Sequence, residues 1–182
     1  MNTRAEFLSF LGLGKMDERR YQVTIPGEKF EIRTYENIFY VKTKFSSSLD
    51  DFHQRALPKV RSYFKGDNFK RKNLVDKTFG YISLLNQEWE LNLALPATVN
   101  PLNHPKPIDE TLSFFQAPVR RVAVFKFAGA FNISQLTSMT HVLNSWINEK
   151  NLRSTLPPML SVQFPNRTIP FFTNNELLLE LE

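Results

Sequence analysis

The side chains that most often perform catalysis or hold metal ions are few in this sequence and stand far apart. The chain has no cysteine and three histidines, His53, His104 and His141, none of which has a carboxylate at metal-ligand spacing. Disulfides, thiolate catalysis and cysteine metal sites are therefore excluded. Glycine-rich phosphate loops, paired metal-binding histidines and nucleophile elbows are also missing from the sequence. The sequence therefore predicts no catalytic residue and favours a binding protein over an enzyme.

The three histidines differ in their surroundings. His104 stands between Asn103 and Pro105, where a turn residue is a simpler interpretation than a ligand. His141 shares its predicted helix face with serine, threonine and asparagine side chains, which is typical of a solvated face. His53 joins an apolar helix face, so it is either a hydrogen-bonded residue at the edge of the core or a ligand for a metal at the centre of a bound ring.

The charge and composition point to small acidic ligands more than to nucleic acid. The 182 residues include 23 Lys+Arg and 18 Asp+Glu, which gives a net charge of +5 and a sequence pI of about 9.5. This excess is modest and dispersed, so it does not require a nucleic-acid partner. The basic run Lys70–Lys72 is interpreted as a solvated loop. The 17 Phe residues either fill the core or line a pocket for a flat hydrophobic ligand.

Length and hydropathy predict a single domain without an integral membrane segment. No apolar run approaches the ~20 residues that span a bilayer. Residues 1–20 are expected to form a partly helical arm that packs on the domain of residues 21–182. A signal peptide is not favoured, because the apolar part follows Glu6 and lacks a small-residue cleavage site. The cytoplasm is the simplest location, with an organelle as the alternative, and the oligomeric state stays open.

A strand-then-helix unit is predicted to occur twice in the chain. The offset between the copies is 82 residues in the strands, where Lys44-Phe45 corresponds to Lys126-Phe127, and 83 residues in the helices. Such a duplication predicts a pseudo-symmetric domain, with repeats of about 30–95 and 112–181 whose junction is a natural place for a ligand groove. The strand stretches are Phe30–Phe45 and Leu112–Phe127, and the helical stretches are Leu49–Phe64 and Asn132–Glu149.

The local signals around these elements predict an α+β fold. Pro58 lies inside the first helix and is expected to kink or loosen its middle. Residues 96–109 contain four prolines and predict a long loop between the halves. We expect a mixed or antiparallel sheet curled around the core, with the two main helices packed outside. The remaining strands are predicted at Phe69–Leu85 (weaker), Trp89–Leu95, Val119–Phe127, near Leu160–Phe164 after Pro157-Pro158, and near Glu176–Leu181.

Several stretches resemble the SOUL/haem-binding protein family. FEIRTYENIFYVKT, which begins at Phe30, resembles the opening strand of that family. The resemblance covers nearly the whole chain and implies duplicated βαββ units forming a distorted antiparallel or mixed β-barrel flanked by two main helices. Further similar stretches follow in the expected order: ALPKVRSYFKGDN (56–68), LALP with HPKPID (within 93–109), and FTNNELLLEL (172–181); the N-terminal FLG…YQV is also similar to the arm of one haem-binding branch.

The resemblance also implies reversible, non-covalent binding of haem or another porphyrin. In the family, this tetrapyrrole lies in an apolar groove along the first helix and the loop before the last strand. Apolar side chains would contact the ring, arginines would contact its carboxylates, and His53 is a candidate metal ligand. The corresponding residues are His53, Leu57, Val60, Arg61 and Phe64 on the helix, and Arg167 and Phe171 on the loop.

The chain departs from the family pattern in three places. Thr34 stands where some members carry an axial histidine. VDKTFGY at residues 75–81 replaces the usual Met-Thr-x-Pro-Val stretch. Basic residues proposed to meet the haem propionates correspond to Gln54 and Ser62, so Arg61 and Arg167 would have to substitute for them.

Two alternatives stay open at this point. The fold is also similar to the effector-binding domains of drug-responsive bacterial regulators, which makes a non-haem small-molecule sensor the main alternative. Such a pocket would carry a buried carboxylate, and Glu88, Glu90 and Glu176 lie on predicted strands whose orientation the sequence does not fix. The other alternative is an enzyme acting on a tetrapyrrole, for which the sequence names no catalytic group.

Overall fold

The computed structural model describes residues 20–46, 51–74, 78–85, 88–128, 135–164 and 174–182. These residues form a nine-stranded antiparallel sheet and two main helices, which confirms the predicted α+β class. Apart from Arg20, the predicted N-terminal arm lies outside the described residues. The strands are β1 (Tyr21–Ile25), β2 (Phe30–Tyr35), β3 (Ile38–Phe45), β4 (Thr78–Leu85), β5 (Glu88–Ala94), β6 (Ser113–Ala117), β7 (Arg120–Ala128), β8 (Ser154–Phe164) and β9 (Asn174–Leu181), and the helices are α1 (Leu57–Phe64) and α2 (Leu136–Glu149).

The order of the strands in the sheet is pseudo-symmetric. The order is β1-β2-β7-β9-β8-β4-β5-β3-β6. When β2–β5 are exchanged with β6–β9, the order of these eight strands is unchanged except that it runs in the opposite direction. Each half contributes two strands, a helix and two further strands. The single strand predicted over residues 30–45 is thus two strands, which Glu36 and Asn37 separate.

The hydrogen-bond register carries the same 82-residue offset that the sequence shows. Tyr35 of β2 lies opposite Arg120 of β7. Ile38 of β3 lies opposite Ala117 of β6, and these two positions are the counterparts of Arg120 and Tyr35. The duplication therefore extends to individual residue pairs, so that side chains at corresponding positions can be compared directly.

Strand β8 begins earlier than the sequence predicts. It starts at Ser154 and continues through Pro157 and Pro158, whereas the prolines were expected to precede the strand. Proline has no N–H to donate to a neighbouring strand. The pairing of β8 with β9 is accordingly interrupted between Thr155 and Met159.

Both helices cover the same side of the sheet, and together they bury the larger of the two core clusters. Val60, Tyr63 and Phe64 of α1 are buried there. Leu143 and Ile147 of α2 join the same cluster and are fully buried. The apolar stripes predicted for both helices are thus confirmed wherever their residues are described.

The opposite face of the sheet, which we call the open face, carries a different set of side chains. Because side chains alternate across a strand, β3 directs Val41 to the helices and Tyr40 to the open face. The cluster on the open face contains only strand residues, among them Tyr35, Tyr81 and Val122. The open face also receives most of the charged side chains of the sheet.

Candidate functional site

The first helical segment begins with a wide turn at the predicted ligand site. Phe52–Ala56 is π-helical, and the Leu57 N–H contacts the carbonyl of Phe52, five residues earlier. Pro58 lies in the first turn of α1 and cannot donate a hydrogen bond to the preceding turn. The predicted loosening around Pro58 is therefore present as a π-helical turn. Such turns are rare and frequently occur at functional sites.

A buried asparagine anchors the end of this helix. Gly66 has a φ of 102°, a conformation that glycine adopts without strain. The Asn68 side chain is fully buried and donates to the carbonyls of Tyr63, at 3.2 Å, and Lys72, at 2.9 Å. The Gly-x-Asn pattern of the sequence is therefore a device that ends α1 and fixes the loop that follows.

The predicted tetrapyrrole-site residues fall into three groups in the structure. Val60 and Phe64 are 0% and 1% exposed and belong to the core, and Leu57 is partly buried against it. Arg61 is exposed on the same helix. The backbone of His53 lies in the π-helical turn. The His53 side chain, Arg167 and Phe171 lie outside the described part of the structure. A ring contacting Val60 or Phe64 must therefore displace a core neighbour, whereas Leu57 and Arg61 are accessible.

His104 packs against aromatic side chains beside the first helix. It follows the short 3₁₀ turn Pro101–Asn103, in line with the predicted turn residue, and its Nδ1 lies 2.9 Å from the Pro101 carbonyl oxygen. Its ring centroid lies 4.3 Å from that of Phe114 and 5.3 Å from that of Phe39. These contacts give His104 a packing role in the long loop.

Four charged side chains form a continuous network on the open face, which we call the closed cluster. Arg33 is 3% exposed and donates to both carboxylate oxygens of Glu176, at 2.5 and 2.7 Å. Arg33 also donates to Glu31, and Lys126 donates to the second oxygen of Glu31 at 2.5 Å. Burial raises the pKa of Glu31, but the hydrogen bonds from Lys126 and Arg33 outweigh it and lower that pKa below its ordinary value. The closed cluster consists of Glu31, Arg33, Lys126 and Glu176.

A second arginine lies among three tyrosine rings on the same face. The Arg120 guanidinium is 5.1 Å from the Tyr81 ring centroid, 5.9 Å from that of Tyr40 and 6.0 Å from that of Tyr35. Its Nη1 also donates to Glu180 at 3.2 Å. Burial raises the pKa of Tyr35 to about 12, so these phenols are neutral at physiological pH. The open face thus holds flat cations against aromatic rings.

Next to Arg120 lies a cavity of about 240 Å³. Glu90 borders it and is 9% exposed, with one hydrogen bond of 3.3 Å from Lys42. Asn92 also borders it and is 1% exposed, and its Oδ1 has no hydrogen-bond partner among the described residues. We call the residues at this cavity the open cluster: Lys42, Glu90, Asn92 and Phe115.

The sequence analysis missed the open face, although the sequence contains a signal for it. It left the orientation of three strand carboxylates undecided. Glu90 and Glu176 are on the open face, and Glu88 is exposed, with 56% of its side chain accessible. In β2 and β5, charged or polar residues recur at every second position between apolar ones. This alternation on otherwise buried strands predicts one polar face for the sheet.

The described residues contain no group of three or more His, Asp or Glu side chains that could hold a metal ion. No helix in the described part of the chain is long and apolar enough to cross a membrane. Lys70, Arg71 and Lys72 are exposed, as expected for a solvated loop.

Solved structures with a similar fold place the chain in a class of two-helix domains built on an antiparallel sheet. The EcmrR C-terminal domain is similar with a TM-score of 0.61 and 10% identity, over 89% of this chain and 98% of that chain. EcmrR in its DNA complex is similar with a TM-score of 0.62 and 12% identity, over 100% of this chain and 65% of that chain. A hydrolase from Listeria innocua has a TM-score of 0.63 and 11% identity, over 87% of this chain and 94% of that chain. At such identities the likeness shows the fold alone.

The family model described as SOUL heme-binding protein matches residues 16–180, nearly the whole chain. The chain therefore belongs to the SOUL heme-binding protein family, as its sequence stretches predict. A search of curated protein sequences found no match.

Proposed function

We propose that this protein reversibly binds a tetrapyrrole, haem or another porphyrin, along its first helix and acts as a carrier or buffer. The observation that carries the proposal is the match of residues 16–180 to a heme-binding family. A porphyrin combines a flat apolar ring with two carboxylates, so its site needs an apolar surface with cations at the rim. Leu57 and the exposed Arg61 have these properties on one helix.

The π-helical turn supports the same location. Phe52–Ala56 and Pro58 interrupt regular α-helical hydrogen bonding beside Leu57. A helix that is loosened at this point can shift to uncover Val60 and Phe64 at a smaller cost than a regular one. In the proposed site these two residues contact the ring after such a shift, Arg61 and Arg167 contact its carboxylates, and Phe171 closes the groove. His53 is the candidate axial ligand when the ring carries iron.

The test is a titration of the purified protein with hemin, protoporphyrin IX and a chlorophyll derivative. Soret absorbance and quenching of tryptophan fluorescence report binding. We expect saturable one-to-one binding, with weaker binding by Arg61→Ala and a changed ferric spectrum in His53→Ala. His141→Ala, which alters an exposed histidine of α2, serves as the matched control. Absence of saturable binding to all three compounds would overturn the tetrapyrrole proposal, and an unchanged His53→Ala spectrum would remove the axial role.

One observation favours the alternative function, a sensor of a non-haem small molecule. Glu90 is a nearly buried carboxylate that faces a cavity on the open face, which is the feature such a pocket requires. This cavity lies on the side of the sheet away from the helices, so the two functions use different surfaces. Retention of a small cation by a protein that binds no porphyrin would favour the sensor.

A further inference from the structure

The duplicated fold presents the same carboxylate position twice on the open face. In the first half Lys44 lies opposite Glu90, and in the second half Lys126 lies opposite Glu176. Lys44 and Lys126 are related by the 82-residue offset, so Glu90 and Glu176 occupy corresponding positions. Their surroundings can therefore be compared residue by residue.

The cation that satisfies Glu176 has no counterpart at Glu90. Arg33 binds Glu176 through two hydrogen bonds and lies opposite Val122 in the sheet. By the same offset, the counterpart of Arg33 is Phe115, which lies opposite Tyr40. Glu90 therefore has an aromatic ring where Glu176 has a flat guanidinium.

The space beside Glu90 contains acceptors that lack donors. Glu90 and Asn92 are two residues apart on β5, so their side chains point to the same face. Lys42 gives Glu90 one bond of 3.3 Å, and the buried Asn92 Oδ1 receives none from the described residues. Phe115 and Tyr81 provide aromatic walls for the same 240 Å³ cavity. Lys42 and Arg120 at its edge each have a carboxylate partner already.

We infer that this cavity binds an external flat cation, a small aromatic amidinium or guanidinium compound, in the position that Arg33 fills in the second half. The N–H groups of the ligand donate to the Glu90 carboxylate and to Asn92 Oδ1, and its ring lies against Phe115. Lys42, whose side chain is 33% exposed, moves into solvent when the ligand charge replaces its own. This inference supplies a ligand class for the sensor alternative and is independent of tetrapyrrole binding along α1.

Calorimetric titration with three compounds of the same shape tests the inference. Benzamidine is the cation, benzamide its neutral analogue and benzoate its anionic one. We expect saturable one-to-one binding of benzamidine, weaker binding of benzamide and no binding of benzoate. Absence of benzamidine binding, or equal or stronger binding of benzamide or benzoate, would overturn the inference.

Two variants locate the site. Glu90→Gln is expected to weaken benzamidine binding about tenfold or more, because a hydrogen bond to a charged group is lost. Glu88→Gln is the matched control, since it makes the same exchange on the same strand at an exposed position that bonds Lys44. Phe115→Arg introduces the missing internal cation and is expected to abolish binding. Circular dichroism confirms that each variant is folded, and equal affinities of Glu90→Gln and the wild type would contradict the assignment.

Cross-titrations separate this inference from the tetrapyrrole proposal. Glu90→Gln should bind hemin as the wild type does, and His53→Ala should bind benzamidine as the wild type does. Hemin binding without benzamidine binding would overturn only the cation site. Displacement of benzamidine by hemin at equal concentrations would show one shared site and would overturn the assignment to the open face.

Discussion

The closed and open clusters occupy corresponding positions of one duplicated backbone, yet their side chains serve different ends. Around Glu176 each charge has a close partner, and Arg33 links two carboxylates. Around Glu90 the contact is longer, and a buried amide oxygen lacks a partner. A buried polar group without a partner costs stability, and binding sites commonly accept such a cost. The comparison teaches that one copy of the duplicated unit stabilises the sheet while the other is left free to bind.

The helix-facing side of the sheet does not share this asymmetry. Thr43 lies opposite Leu91, and Phe125 lies opposite Leu177, so the two leucines are counterparts. Both are fully buried in the larger core cluster. The two copies therefore differ where the sheet is open and agree where the helices cover it, which localises the functional divergence to one face.

The largest effect is expected from opening the closed cluster. Arg33→Ala leaves Glu31 and Glu176 nearly buried without their shared cation, which should lower the free energy of unfolding by about 4 kcal/mol. Urea denaturation followed by circular dichroism measures the change. Phe115→Ala is the control at the corresponding position of the open cluster and should cost less, because no charge is uncovered. Equal losses in the two variants would show that the clusters do not differ as described.

The core should respond symmetrically. Leu91→Ala and Leu177→Ala each remove a fully buried side chain, and each should cost about 3 kcal/mol. The same urea experiment measures both, with Leu102→Ala as the control because Leu102 is 96% exposed. A difference of more than about 2 kcal/mol between the paired leucines, beyond the usual spread of such substitutions, would place part of the asymmetry in the core.

Acid should weaken the closed cluster through Glu31. Its pKa lies below the ordinary value of 4.5, because hydrogen bonds from Lys126 and Arg33 outweigh the effect of burial. A carboxyl group with a lowered pKa stabilises the fold above its ordinary pKa, and the contribution is lost as pH falls through the folded-state value. The stability gap between wild type and Glu31→Gln should thus be constant from neutral pH down to about 5.5 and shrink below 4.5. A gap that widens on acidification would contradict this assignment.

The sequence predicted the elements whose signals are local. Periodicity located both helices and the strand at residues 89–95, and the Lys-Phe pairs at 44–45 and 126–127 gave the offset that the register shows. The break at Glu36-Asn37 was missed because it adds no proline or glycine to the strand pattern. The extension of β8 through Pro157-Pro158 was missed because an interrupted pairing accommodates the prolines.

The open face could not be assembled from the sequence because its contacts are non-local. Arg33 and Glu176 are 143 residues apart, and Lys42 and Glu90 are 48 apart. The alternation of charged residues shows that a polar face exists, but the strand order decides which charges meet. The family resemblance directed attention to the helix, where Val60 and Phe64 prove to be core residues. The binding role of the seven predicted site residues stays a prediction.

The smallest expected effect comes from the two corresponding lysines. Lys126 is 34% exposed and donates to the nearly buried Glu31, whereas Lys44 is 60% exposed and donates to the exposed Glu88. Surface ion pairs contribute little because water and salt screen them. Lys126→Ala should therefore cost about 1 kcal/mol, and Lys44→Ala should leave the urea midpoint unchanged within error. Repeating both measurements at high salt sharpens the comparison, since the loss in Lys126→Ala should persist. A larger loss in Lys44→Ala would mean that the first copy of the unit, and not the second, supplies the stabilising charges.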